Sequence, residues 1–143
     1  MRLIIAGGRD FIDYEALKSR VLKELKKLCK NEVYAGSPLE IVGGEAPGAD
    51  TLGKEFAKEF GIPFVAFPAK WNNLAAVPCA IGIRKDGSEY NKLAGHNRNQ
   101  EMADYASEEL GVLIAFWDDK SSGTKDMISR ARGRHLHVIV VGY

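Results

Sequence analysis

The sequence predicts an α/β domain in which helices cover both faces of a parallel sheet of about five strands. Three apolar runs of strand length each lead into a turn of small residues, and an amphipathic segment follows each turn. An apolar run without polar alternation is typical of a strand buried on both faces, as in parallel sheets. Right-handed crossovers then give a doubly wound, three-layer, Rossmann-like domain.

The first unit consists of a strand at residues 3–6 and a helix at 13–30. Gly7 and Gly8 allow a sharp turn between the two, because glycine has no Cβ atom. Asp13 is a suitable N-cap, and apolar residues then recur at spacings of three and four. This pattern predicts an amphipathic helix whose lysines form a solvated face.

The second unit has a strand at residues 39–42, a helix at 50–60 and a further strand at 63–67. Gly61 ends the helix, because glycine readily leaves the helical conformation. Pro63 fits only the first position of a strand, since it has no N–H group to donate. The chain therefore repeats the order of strand, turn and helix.

Residues 69–94 break this order and predict an irregular insertion before the third major helix. Within the insertion, an Asp86-Gly87 pair between two short mixed segments predicts a small β-hairpin. No linker or repeat interrupts the remainder, so residues 1–143 are expected to form a single domain. The remaining predicted elements are a helix at 96–106, a strand at 112–116, a helix that includes Met127, and a final strand at 138–141.

Composition limits the class of protein. With 45% hydrophobic and 27% charged residues, the chain is globular rather than disordered or fibrous. A formal net charge of +1 gives no strong basic field, so nucleic-acid binding would depend on a local patch. The two cysteines lack the spacing of a disulfide scaffold or a zinc site. No apolar segment has the length of a signal or a membrane span, so we expect a cytoplasmic protein without membrane contact.

Three strand ends carry most of the residues that we expect to bind a ligand. Ligands of such folds bind beyond the carboxyl ends of the strands, where the strand order reverses. Small residues at a helix start expose backbone N–H groups, which suit an anion such as phosphate. We therefore expect one shared pocket. Its predicted contacts are Gly7, Gly8, Arg9 and Asp10 after the first strand, Gly43, Gly44, Gly48, Ala49 and Asp50 after the second, and Asp118, Ser121, Ser122, Gly123 and Thr124 after the fourth.

Arg98 and Asn99 are the other expected ligand contacts. A cation near a helix start opposes the helix dipole unless an anion is bound, so we expect Arg98 to contact phosphate. For two residues of the turns, a structural role is an alternative to ligand binding. Arg9 fits an ion pair with Asp10 or Asp50 as well as a phosphate contact. Asp50 fits a helix N-cap as well as a contact with ligand or water.

Aromatic and histidine side chains add little to this site. Trp71 and Trp117 both fit stacking on a base, although Trp117 equally fits packing beneath the pocket. His135 and His137 share one face of a strand without a third ligand. We therefore expect neither a metal nor a cofactor.

The chain resembles the YspA-like family through four motifs in the same order: GGRDF (7–11), GGEAPGAD (43–50), AGHNRNQEM (94–102) and AFWDDKSSGT (115–124). That family belongs to the SLOG superfamily, which is named for the DNA-uptake protein Smf/DprA and the Lonely Guy enzymes. The resemblance spans nearly the whole chain. It implies a Rossmann-like fold that binds nucleotides or nucleotide-derived ligands.

The sequence is also similar to the Lonely Guy enzymes, which are phosphoribohydrolases that cut the N-glycosidic bond of a nucleoside monophosphate. Their arginine followed four positions later by methionine is matched by Arg98 and Met102. Their PGGxGTxxE loop is matched only by Gly123-Thr124. Met127 stands where the catalytic glutamate of those enzymes would be.

This departure affects catalysis, because the transition state of glycosidic hydrolysis needs a carboxylate. Asp118, at the end of the fourth strand, is the first candidate to replace the glutamate, and Asp50 is the second. Arg98 completes the predicted catalytic set as the charge partner of the phosphate. Without the glutamate, we expect hydrolysis to be slow or absent.

The leading interpretation is a sensor or processing domain that binds a nucleotide or a nucleotide-derived phosphate ligand. One alternative is a Lonely Guy-like phosphoribohydrolase. Another is a DprA-like domain for single-stranded nucleic acid, which the likeness of GGEAPGAD to the corresponding DprA loop suggests. Because Lonely Guy-type relatives are dimers, the resemblance also implies a homodimer.

Overall fold

The computed structural model describes all of residues 1–143 and contains seven strands and four α-helices. None of the helices has both the length and the apolar character that crossing a membrane requires. In chain order the elements are β1 (Arg2–Gly7), α1 (Tyr14–Leu28), β2 (Glu40–Gly43), α2 (Ala49–Glu59), β3 (Phe64–Ala66), β4 (Ile81–Ile83), β5 (Glu89–Asn91), α3 (Ala94–Ser107), β6 (Gly111–Trp117), α4 (Ser122–Gly133) and β7 (His137–Gly142).

Five parallel strands form the central sheet in the order β3-β2-β1-β6-β7. The chain moves from β1 outward to β3, and then returns to place β6 on the other side of β1. The strand order therefore reverses between β1 and β6, which end at Gly7 and Trp117. In doubly wound sheets this reversal leaves a crevice at the carboxyl edge. The predicted Rossmann-like architecture is confirmed.

Helices cover both faces of the sheet. Leu3 and Ile5 of β1 pack with α1 and α2 on one face, whereas Ile4 and Ala6 pack with α3 and α4 on the other. All four of these side chains are buried. Because β1 has no solvent-facing side, its sequence shows a continuous apolar run instead of alternation.

The insertion contains the predicted hairpin. Strands β4 and β5 pair in the antiparallel direction, with Gly82 opposite Tyr90. Gly87 has φ +86° at the turn, and the Oδ1 atom of Asp86 accepts a hydrogen bond from the Ser88 N–H at 2.9 Å. The Asp-Gly signal therefore correctly located the turn.

Caps explain where the first two helices begin. Asp13 caps α1, because its side chain accepts a hydrogen bond from the Ala16 N–H at 3.0 Å. Helix α2 is capped by Gly48 and not by Asp50, which lies in the first turn and makes no cap bond. The N-cap alternative for Asp50 is therefore wrong. Its carboxylate is available for another role.

We expect Gly48→Ala to lower the free energy of unfolding by about 3 kcal/mol or more. Gly48 has φ +84° and ψ −132°, and an added Cβ atom would lie 2.6 Å from the Arg9 Cα atom. Both the positive φ angle and the clash with the Arg9 backbone disfavour any side chain at this position. Urea denaturation measures the loss.

Gly61→Ala is the matched control, because Gly61 has φ +63° but open space around its missing Cβ. That variant should lose only the free energy that a left-handed backbone conformation costs an alanine, roughly 1 to 2 kcal/mol. Equal losses in the two variants would contradict the importance of the close approach at Gly48.

Candidate functional site

A cavity of about 610 Å³ opens at the carboxyl ends of β1 and β6. It occupies the crevice at the reversal of strand order, and its volume lies within the roughly 300 to 1,000 Å³ typical of small-molecule sites. All four sequence motifs thus meet at this cavity, and the GGEAPGAD motif contributes through Ala46 and Asp50. The predicted contacts that line the cavity are Gly7, Gly8, Arg9, Asp10, Asp50, Arg98, Asn99, Asp118, Ser121, Ser122, Gly123 and Thr124.

The structure does not bring Gly43, Gly44, Gly48 and Ala49 to the cavity lining. Gly43 is the last residue of β2 and packs against the Phe64 ring. The Ala49 N–H is already used, because it donates to the Gly8 carbonyl at 3.2 Å. These residues of the second turn therefore contribute to the packing around the site and not to its lining.

Gly44 has a specific supporting role. A Cβ atom at this position would clash with the Arg98 guanidinium and would lie 2.7 Å from the Oδ2 atom of Asp50. Both side chains therefore pack against the bare backbone of Gly44. The glycine allows a cation and a carboxylate from different helices to lie close together.

The first turn is held by backbone hydrogen bonds. The Gly8 N–H donates to the Phe116 carbonyl at 3.1 Å, and the Gly8 carbonyl accepts from the Phe11 N–H at 3.2 Å. The backbone N–H groups of Arg9 and Asp10 have no partner within the protein. The turn therefore leaves two donors for a ligand.

Tyr143 stabilises this turn, and the sequence analysis did not identify it. Its hydroxyl donates to the Oδ1 atom of Asp10 at 2.5 Å, and its ring packs 4.8 Å from the Phe11 ring. Burial, followed by the hydrogen bond to Asp10, raises the pKa of Tyr143 far above its usual value. Asp10 is thus engaged with Tyr143. No local sequence signal links two residues so far apart.

The turn before α4 leaves backbone N–H groups free at the start of a helix. Ser121 is the N-cap, and its hydroxyl accepts a hydrogen bond from the Thr124 N–H at 3.3 Å. The N–H groups of Ser122 and Gly123, in the first turn, have no partner within the protein. Space around the Cα atom of Gly123 is open. A helix start of this kind attracts anions.

Asp118 organises the same turn. Its Oδ1 atom accepts hydrogen bonds from the Ser121 N–H at 2.8 Å and the Lys120 N–H at 2.9 Å. These two bonds lower the pKa of Asp118 below its usual value. The Trp117 indole donates to the Ser121 carbonyl at 3.0 Å, which favours the packing role of that ring. Asp118 is therefore an ionised carboxylate that accepts hydrogen bonds within its own turn. A carboxylate of this kind is a poor proton donor, so Asp118 is a weaker candidate for the catalytic acid.

Asn99 joins helix α3 to helix α4. Its amide nitrogen donates to the Asp126 carboxylate at 3.0 Å and to the Gly123 carbonyl at 3.3 Å. Its oxygen accepts from the Arg98 Nε atom at 3.1 Å. Asp126 also accepts from Arg130 Nε at 2.9 Å, so it is engaged outside the cavity. Asn99 thus orients Arg98, and its polar atoms are largely occupied.

Arg98 is half-buried in the cavity wall. Besides Asn99, its guanidinium reaches only the Phe67 carbonyl, at 3.4 Å. No carboxylate lies within ion-pairing distance of it. Arg9 likewise forms no ion pair with Asp10 or Asp50, so the structural alternative for Arg9 is wrong. Two guanidinium groups thus face the cavity without a paired anion.

Asp50 is buried, with only 6% of its surface exposed. Its carboxylate makes no hydrogen bond of normal geometry and no ion pair. Burial raises its pKa from 3.8 to about 6, and the nearby Arg98, the Ala46 N–H and Arg9 offset this only in part. A group with this pKa exchanges protons near neutrality, as general acids and bases do.

Apolar and basic groups complete the lining. Met102 and Met127 are almost fully buried and form part of its floor, and Trp71 forms part of one wall. The other lining residues carry no sequence signal that assigns them to the site, although Gly95 and His96 belong to the AGHNRNQEM motif. These unassigned residues are Ala6, Ala46, Lys92, Gly95, His96 and Lys120.

Residues 1–73 match the family described as the YspA, cpYpsA-related SLOG family. The chain belongs to this SLOG family. No curated protein gives a significant sequence match. Family membership and fold together support a domain related to nucleotide or nucleic-acid binding.

The SLOG chain is also similar to the X-ray structure of DNA processing protein A (DprA) from Streptococcus pneumoniae. The TM-score is 0.61 at 17% sequence identity, and the match covers 99% of this chain and 50% of that chain. The chain therefore spans half the length of the DprA chain. At this identity the likeness concerns the fold alone.

We expect the stability of the protein to depend on the ionisation of Asp50. Because burial raises its pKa from 3.8 to about 6, folding favours the protonated form, and this contribution is present at low pH. Relative to Asp50→Asn, the wild-type protein should lose about 2 to 3 kcal/mol of unfolding free energy as the pH rises from about 4 to about 7.

Urea denaturation of both proteins across this pH range measures the difference. Glu55→Gln is the matched control, because Glu55 is an exposed carboxylate on the same helix. Its difference from wild type is the baseline against which the Asp50→Asn difference is compared. A flat difference for Asp50→Asn would show that its pKa is normal.

Proposed function

We propose that the cavity binds a nucleotide or a nucleotide-derived phosphate ligand, as a sensor or a processing domain. The observation that carries this proposal is the unpaired guanidinium of Arg98. It is half-buried, it lines the cavity, and it has no carboxylate within ion-pairing distance. Removing a cation from water without a counter-charge is costly, and a phosphate group would supply that charge with bidentate hydrogen bonds.

Backbone donors support the same assignment. The N–H groups of Ser122 and Gly123 lie at the start of α4, and those of Arg9 and Asp10 lie in the first turn. All four are without a partner in the protein, and all four residues line the cavity. Such donors, together with the dipole of α4, bind phosphate without a metal ion.

The apolar side of the cavity suits a nucleobase. The Trp71 side chain lines the cavity and is 37% exposed, so its ring is accessible for stacking. Met102 and Met127 offer an apolar floor. A cavity with cationic donors on one side and an aromatic group on the other fits a molecule that has a phosphate and a base.

The second candidate function is hydrolysis of the N-glycosidic bond of a nucleoside monophosphate. The observation that favours it is Asp50, a buried carboxylate in the cavity with a pKa of about 6. Met127 opposes it, because its thioether neither donates nor accepts a proton. The neighbouring Asp126 is held by Asn99 and Arg130. We therefore propose binding with little turnover.

Binding of single-stranded nucleic acid is less well supported. It needs a basic groove and stacking platforms. The basic side chains of Arg130 on α4 and of Arg134 at its C-cap are paired with Asp126 and Asp104, and the net charge of the chain is only +1. The homodimer that the Lonely Guy resemblance implies stays a prediction.

We expect at least one nucleoside monophosphate, nucleoside diphosphate, ADP-ribose or NAD to stabilise the protein without added metal. A ligand at 100 times its dissociation constant should add about 2.7 kcal/mol to the free energy of unfolding. A thermal-shift screen, followed by calorimetric titration, makes the measurement. Absence of both heat and stabilisation with every nucleotide, with or without magnesium, would refute the proposed function.

Arg98→Ala should weaken ligand binding far more than it weakens folding. Loss of a charge-assisted contact costs about 1.5 to 3 kcal/mol, or roughly 10-fold to 150-fold in affinity. Arg132→Ala is the control, because Arg132 is exposed on α4 outside the cavity. A variant that loses stability but keeps its affinity would make Arg98 a structural residue.

Prolonged incubation with AMP and related monophosphates should release little or no free base. General acid-base catalysis is worth roughly 10² to 10⁴ in rate, and Met127 supplies none of it. Chromatography of the products detects the base. Rapid release that survives in both Asp118→Asn and Asp50→Asn would contradict this expectation, because the reaction would then use another group.

A further inference from the structure

The carboxylate of Asp50 has a single nearby hydrogen-bond donor in the protein, the Ala46 N–H. It is 6% exposed, it lines the cavity, and no protein group donates to it with normal geometry. A buried carboxylate with so few donors is unfavourable, because burial removes the water that would otherwise solvate it. Its small exposed area opens on the cavity, so a ligand can supply a further donor.

We infer that Asp50 accepts a hydrogen bond from a ribose hydroxyl of the ligand, so that the site distinguishes ribonucleotides from deoxyribonucleotides. This inference rests on the proposed function, since it assumes that a nucleotide occupies the cavity. It adds the sugar specificity and assigns it to one side chain. The chemical class of the ligand is then a nucleotide with vicinal hydroxyl groups.

The charges around Asp50 favour a neutral donor over a cation. Arg98 on α3 and Arg9 in the first turn lie near the carboxylate and lower its pKa. A cationic group of the ligand would be repelled by these two guanidinium groups. No cluster of three His, Cys, Asp or Glu side chains is present to hold a metal ion. A hydroxyl group is neutral and donates one hydrogen bond.

The position of Asp50 favours the sugar over the base. Asp50 and Arg98 pack against the same glycine, Gly44. Arg98 is the proposed partner of the phosphate, so the part of the ligand beside Asp50 is the part next to the phosphate. In a nucleotide that part is the ribose, whereas the base is one unit further away.

The expected discrimination follows from the cost of an unpaired buried group. A site built to bond a hydroxyl rejects the analogue that lacks it, because its own polar group then stays unsatisfied. We expect the wild-type protein to bind the ribonucleotide about tenfold or more tightly than the corresponding deoxynucleotide.

The test is calorimetric titration of the wild-type protein with AMP, GMP, CMP and UMP and with their 2′-deoxy and 3′-deoxy forms. The same ligands are then titrated into Asp50→Ala, Asp50→Asn and the control Glu55→Ala on the exposed face of α2. Circular dichroism checks that each variant is folded. Loss of a buried charge should not unfold the two variants at Asp50, and asparagine keeps the shape of the aspartate side chain.

In Asp50→Ala, the ribonucleotide should bind as weakly as one of its deoxy forms, whose own affinity should change by less than about threefold. Asp50→Asn should show an intermediate preference, because a neutral oxygen is a weaker acceptor. Glu55→Ala should match wild type. These results together would support the assignment of Asp50.

Three outcomes would overturn the inference. Equal binding of ribonucleotides and deoxynucleotides to wild type would refute the sugar specificity and leave the proposed function intact. A ribonucleotide preference that persists in Asp50→Ala would show that another residue determines the sugar specificity. Absence of binding by every nucleotide, including the diphosphates, ADP-ribose and NAD of the thermal-shift screen, would refute the proposed function, and the inference with it.

Discussion

The site depends on the close backbone contact between the first turn and the start of α2. The Gly8 carbonyl accepts hydrogen bonds from both Phe11 and Ala49, and Gly48 packs directly on the backbone of Gly8 and Arg9. This contact joins the ends of two neighbouring strands without side chains between them. It leaves the N–H groups of the first turn unpaired and places Asp50 beside the cavity.

The cavity combines groups whose charges are not satisfied within the protein. Arg98 has no carboxylate within ion-pairing distance, and Asp50 has only the Ala46 N–H as a nearby donor, although both side chains pack against Gly44. A protein that needed these groups only for stability would pair them directly, since an unpaired buried charge lowers stability. The ligand proposed above would offset this cost, which is the usual relation between binding sites and stability.

Several predicted site residues turned out to hold other residues in place. Asp118 accepts two backbone hydrogen bonds within its own turn, and Asn99 connects Arg98 to α4. Both residues line the cavity, as their positions beside a strand end and a helix start predicted. Their hydrogen-bond partners were not predictable, because a short polar side chain in a turn bonds either its own backbone or a ligand. Tyr143 was missed because its contact with Asp10 depends on how two distant strand ends meet.

The sequence by itself determined the layered fold, the order of its elements and the edge where the candidate site lies. Apolar runs, helical periodicity and glycine turns are local, and parallel strands bring their carboxyl ends to one edge whatever the details of packing. Only the tertiary structure decided which side chains are used up in internal bonds and which stay available. Burial and hydrogen bonding depend on neighbours from other elements: the same carboxyl group is an ionised turn acceptor at Asp118 and a buried group with a raised pKa at Asp50.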